Sequence, residues 1–161
     1  MDSSLMSICR WLQDSFWATN IRTSLWIYPF VQLIHFSGLS LWLGTNISGD
    51  LRLLGYGKMP QTAAEVRDEL FAWNWIGFVI AVLGGFLLFS SRATVYIRNP
   101  AFRTKLFVFI PLALIWHIFV QAKMRRWGQA PQVPTLARLA GLLEILLWVA
   151  VVTAAVEIPN Y

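Results

Sequence analysis

Four stretches of this chain run for the length of a membrane-crossing helix with almost no charge: residues 25–45, 75–96, 106–122 and 136–156. A hydrocarbon core about 30 Å thick takes about 20 helical residues to cross. Inside it every backbone N–H and C=O must be satisfied within the segment, which leaves the α-helix as the element for such runs. Composition agrees, since 57% of the 161 residues are hydrophobic and only 13% are charged, against about 25% in a soluble domain. The expected fold is therefore all-α: an integral membrane four-helix bundle with short interfacial amphipathic helices. Residues 1–24 form the interfacial N-terminal segment and 25–161 the four-transmembrane-helix domain.

Local signals place the ends. Asn99-Pro100 supplies an N-cap and a proline at the first position of the third helix, Gly128 and "APQVPT" end it, and Thr135 caps the fourth. Pro111 inside the third helix predicts a kink or a freed carbonyl at Phe107. Leu5, Ile8, Leu12 and Phe16 recur at helical spacing, which predicts an interfacial helix before the first span. Thr62 and Glu65 form a capping box ahead of Ala63, Val66 and Leu70, which predicts a second short interfacial helix ending at "AWNW". Trp42, Trp73, Trp75 and Trp127 are expected at one membrane surface and Trp17 and Trp26 at the other. Ser37, Gly38, Ser40 and Gly44 on the first helix, with Gly77, Ala81, Gly84 and Gly85 on the second, predict close backbone packing. Asp50 and Arg52 are expected to close the first span and pair with loops.

Charge excludes some partners and functions. The net charge of +5 is spread over helix ends and loops, with no basic stripe, so nucleic acid is not an expected partner and lipid headgroups are. Basic residues divide six against seven between the two sides, and the uncharged-to-acidic C-terminal tail tilts both termini toward the outside. Nothing resembles a secretory signal, and the chain is read as unprocessed. A lone Cys9 forms no internal disulfide, and no C-x-x-C-H attaches a haem covalently. No phosphate loop, zinc-protease motif or serine elbow is present, so an electron-transfer or non-catalytic subunit fits better than an enzyme.

The ionisable residues inside the spans carry the functional expectations. The only two histidines, His35 and His117, both fall there. His35 follows Arg22 by 13 residues and His117 follows Lys105 by 12, which predicts equal depth on two helices running in the same direction. Two such imidazoles suit the axial positions of one b-type haem, with Gly38 and Ala113 leaving room for the macrocycle and Gln32 orienting His35. Glu144, six residues after Arg138, shares a depth with His117, six before Lys123, and the two form a candidate proton path or quinone-binding pair. Electron transfer between a dehydrogenase or cytochrome partner and a quinone pool is one expected function. A cofactor-free membrane anchor or assembly subunit of a larger complex is the alternative, and small-solute or ion transport a third.

The segments "YPFVQLIHFSGLSLWLGTNISGDLRLLG", "AWNWIGFVIAVLGGFLLFSS" and "YIRNPAFRTKLFVF" resemble a family of small bacterial four-helix integral membrane proteins known only as a domain of unknown function. The resemblance runs from about Trp26 to the fourth span. It implies a bacterial inner (cytoplasmic) membrane and makes His35 a family position. In that family the position of Gln32 is usually glutamate. No activity comes with it.

Overall fold

A computed structural model describes residues 3–56, 61–128 and 133–156, Val156 by its backbone alone. Lys58, part of the "APQVPT" segment and the acidic tail lie outside the described residues. Among the described residues every regular element is a helix: α1 Ser3–Gln13, α2 Phe16–Thr23, α3 Ile27–Leu54, α4 Ala63–Ser91, α5 Ala93–Tyr96, α6 Pro100–Gly128 and α7 Thr135–Val156. The four long helices pack in a ring, each against its chain neighbours, with α7 closing onto α3. Helices α3 and α6 occupy opposite corners.

Three of the four, Ala63–Ser91, Pro100–Gly128 and Thr135–Ala155, are long and apolar enough to cross a membrane. Helix α3 has the length, 28 residues, but falls short in hydropathy. Gln32, His35, Asn46 and Asp50 dilute its apolar residues. The outer faces suit lipid, with Val79, Val82 and Phe86 on α4, Ile115 and Ile118 on α6, and Leu139, Leu146 and Val149 on α7 all exposed.

Several expected boundaries move. The first long helix continues past Thr45 to Leu54 and stops at Gly55, whose φ of 87° is a left-handed conformation that glycine adopts without Cβ strain. Asp50 is consequently a buried helix residue and not a loop partner. The capping box at Thr62 and Glu65 is present, but the helix that it starts does not end at "AWNW". The amphipathic turn runs directly into the apolar span as one 29-residue helix, with no proline to interrupt it, and continues through Gly77, Gly84 and Gly85, since a glycine inside a packed helix lowers its propensity without ending it. That helix breaks at Arg92, four residues before the expected end at Tyr96. Helix α7 begins at Thr135 itself, because the Pro134 carbonyl accepts from Ala137 N at 2.9 Å and Arg138 N at 3.2 Å.

Pro111 acts as its chemistry requires. Having no N–H, it leaves the preceding turn without one rung, and Lys105–Phe109 widens into a π turn in which the Ile110 N–H reaches the Lys105 carbonyl. Asn99 caps the helix start by accepting from Phe102 N at 3.0 Å.

At the amino end, α1 and α2 are separate helices, and α1 buries Cys9 and Leu12 against Ala93 and Ile97. The expected stripe is displaced, since Ile8 and Phe16 point outward. Arg22 Nη1 donates to the Gln13 carbonyl at 3.1 Å and the Ser91 carbonyl at 3.0 Å, while Gln13 Oε1 accepts from Thr94 Oγ1 at 2.7 Å. These bonds lock both short helices over the end of α4. Burial pushes the Cys9 thiol above its ordinary range, which disfavours the thiolate.

The tightest contact is between α3 and α4, and small residues make it. A methyl group added at Gly38 would lie 2.5 Å from Ala81 N, and one at Gly77 would lie 2.6 Å from Trp42 N. Gly38→Ala is expected to lower the melting temperature in detergent, at a cost of about 1–3 kcal/mol for overpacking. Gly44→Ala, where an added methyl meets nothing within 4 Å, should melt like the parent or slightly above it. Equal melting of the two variants would contradict the α3–α4 seam.

Candidate functional site

Period 3.6 places Trp42, Asn46 and Asp50 on one stripe of α3, and all three side chains are buried. Facing them are Asn74 from α4, His117 from α6, and Glu144 and Trp148 from α7, also buried. Every long helix thus sends polar groups into one layer. It is bounded toward the α3–α4 loop by Leu53, Met124, Trp127 and Ala137, and toward the other end by apolar residues packed on Trp42 and Trp148, such as Leu114 and Val151.

The centre of the layer is a contact between His117 Nδ1 and Glu144 Oε1, with 0% and 2% of the two side chains exposed. Sharing a depth, as their distances from Lys123 and Arg138 predict, they meet across the α6–α7 interface. Trp42 packs edge-on to the His117 ring at 4.6 Å between centroids and to Trp148 at 5.5 Å, and Trp75 stands 6.0 Å from His117. Asn46 Oδ1 accepts from Asn74 Nδ2, which also donates to Thr45 Oγ1 at 2.9 Å. Asp50 lies beside Gly141, one turn before Glu144 on α7, and a methyl group at Gly141 would sit 3.3 Å from the Asp50 carbonyl oxygen. The missing Cβ lets α7 reach the Asp50 turn.

His35 belongs to a different place. Its Nδ1–H donates to the Ala81 carbonyl at 2.7 Å, across the α3–α4 seam, and Gly84 and Gly85 make room for its ring. Ala81 is therefore its orienting partner, and Gln32, one turn earlier, is half-buried. The two histidines do not share a level. His117 packs on Trp42, which follows His35 by seven residues, about 10 Å along the helix. The offset arises because Arg22, from which His35 was counted, sits on α2, across a break at Ser24, so that interval does not measure depth along α3. Gly38 is filled by the α4 backbone, and Ala113 is packed with Trp42 and Trp148.

Trp42 and Trp127, expected at a membrane surface, are interior residues, whereas Trp17, Trp26 and Trp73 are exposed. Asn46, Asn74 and Asp50 were missed as site residues. A signal was available for the two on α3, because Asn46 and Asp50 at i and i+4, one turn beyond Trp42 in an apolar run, mark an inward stripe. Among the described residues no group of three or more His, Cys, Asp or Glu side chains is placed to hold a metal ion. No family model, curated protein or solved structure matches the chain.

Removing one partner of a buried pair leaves the other uncompensated, at about 3–5 kcal/mol. His117→Ala is therefore expected to destabilise the bundle strongly, Glu144→Gln less because the amide still hydrogen-bonds. The double change His117→Ala with Glu144→Ala should cost less than the two single alanine changes together, by about 0.5–3 kcal/mol. Strict additivity in detergent unfolding would show that the two side chains do not interact.

Proposed function

We propose that this chain is a four-helix subunit of the bacterial inner membrane, its termini on the outer side, that moves protons through its interior. Helix α3 completes the bundle, its Asn46 and Asp50 buried among α4, α6 and α7 and its exposed Phe30, Leu33 and Phe36 turned to lipid. The observation that carries the reading is the buried His117–Glu144 contact. An ionisable pair held inside a membrane bundle is expensive, and such pairs mark proton or ion pathways. Packing alone does not call for a charge there, since buried ion pairs are often replaceable by uncharged residues of similar volume.

The imidazole suits a relay because its two nitrogens face different groups. A proton arriving at Nε2 gives an imidazolium, Nδ1 passes its proton to the Glu144 carboxylate, and the ring is left neutral with hydrogen on Nε2. Glu144 then holds the proton one turn from the Asp50 level, the next protonatable group toward the α3–α4 loop. Reconstituted in liposomes, the protein should dissipate an imposed pH gradient faster than empty vesicles. Glu144→Gln should abolish the protein-dependent part and exposed Asp14→Asn should not. Equal flux in parent and Glu144→Gln would remove this reading.

A second reading, electron transfer through a b-type haem held by His35 and His117, would need the two rings, about 10 Å apart in level here, to be brought together, and what favours it is the nitrogen that each ring leaves open. Each ring has Nδ1 engaged by an oxygen acceptor, Ala81 O or Glu144 Oε1, and so keeps Nε2 as the coordinating atom. Electrons would then pass between a quinone or cytochrome partner and this subunit. Haem-replete preparations would show a reduced Soret band that is lost in both His35→Ala and His117→Ala. A colourless preparation with no proton flux would leave the cofactor-free anchor or assembly role.

A further inference from the structure

The polar layer holds more hydrogen-bonding capacity than its side chains use on one another. Among the described residues, buried acceptor atoms without a hydrogen-bond partner are Asp50 Oδ2, Asn74 Oδ1 and Glu144 Oε2. Buried donors of the layer in the same condition are Trp42 Nε1, Asn46 Nδ2 and Trp148 Nε1. His117 Nε2, which can play either part, is the seventh. Leaving one such group unsatisfied costs about 1–3 kcal/mol, and native interiors leave few of them.

The residues that carry these atoms adjoin one another. Trp42, Asn46 and Asp50 share one stripe of α3, Glu144 and Trp148 are one turn apart on α7, and Trp42 touches both His117 and Trp148. Asn74 is bonded to Asn46, and Asp50 adjoins α7 at Gly141. Their chemistry selects the ligand. A metal cation would be met by acceptors alone and an anion by donors alone, whereas this set mixes the two in equal number. A small neutral molecule that both donates and accepts satisfies it, and buried water does so with about three bonds each.

We propose that the layer between Asn46–Asn74 and His117–Glu144–Asp50 is a water-binding chamber, closed by the Leu53–Met124 cluster at one end and the apolar residues around Trp148 at the other. Bound waters join the indole N–H groups of Trp42 and Trp148 to the two carboxyls and to His117 Nε2. This deepens the proton reading by naming the carriers that would bring a proton to Nε2. The water site itself stands whether or not protons move.

Water-edited solid-state NMR of the full chain in lipid, labelled with 15N-tryptophan, tests it. Indole signals are assigned through Trp42→Phe and Trp148→Phe. Magnetisation from water should reach the Trp42 and Trp148 N–H groups as fast as it reaches exposed Trp26, although only 1% and 6% of the two buried residues are exposed. Trp116, whose N–H donates to the Ala140 carbonyl at 3.0 Å, is the dry reference. Asn46→Leu should abolish fast transfer to Trp42. Transfer to Trp42 and Trp148 as slow as to Trp116 would overturn the proposal. Fast transfer together with unchanged flux in Glu144→Gln would keep the chamber and discard the proton function.

Discussion

Everything distinctive in this bundle follows from one contact, that between His117 and Glu144 in an interior from which bulk water is excluded. Two ionisable side chains in such a place call for polar surroundings, and the four long helices gather their buried polar residues around them in a single layer. The same contact lies in the α6–α7 interface, where the two side chains meet. Trp42 covers the imidazole from α3 and joins that helix to the layer.

The α3–α4 seam makes the geometry possible. Glycine at positions 38 and 77 brings the two backbones close enough that Trp42 enters the bundle centre. The Arg22 and Gln13 bonds fasten α1 and α2 to the end of α4 and close that end of the molecule. Outside, an apolar surface suits a bilayer. The architecture is an inverted soluble protein only in part, since among the described residues its buried ionisable side chains gather at one level, with apolar clusters on either side.

Much of this was legible in the residues. Long uncharged runs showed the helices, Asn99-Pro100 and Thr62 with Glu65 showed two helix starts, and Pro111 showed the turn that widens. The shared depth of His117 and Glu144 was readable from their distances to Lys123 and Arg138, because each count stays on one continuous helix. The same method misled for His35, where the reference residue Arg22 lies across a break that Ser24 marks only weakly. Helix ends at Thr45 and near Trp75 were misplaced for another reason. Hydropathy changes at these points but the structure does not: the backbone continues through Gly44 and Gly77, since glycine inside a packed helix lowers its propensity without ending it, and no proline stands at either point. The inward stripe of Trp42, Asn46 and Asp50 was hidden because tryptophan near an expected boundary suggests a membrane belt, and burial depends on neighbours that no local pattern contains.

With only two histidines in the chain, the central contact can be observed directly. The measurement is a through-space 15N–13C correlation in solid-state NMR of the lipid-embedded protein, labelled at histidine nitrogens and glutamate Cδ. One imidazole Nδ1 should correlate with a glutamate Cδ, and that cross-peak should vanish in Glu144→Gln while the His35 signals stay in place. A spectrum in which neither histidine correlates with any glutamate carboxyl carbon would contradict the buried pair and every function built on it.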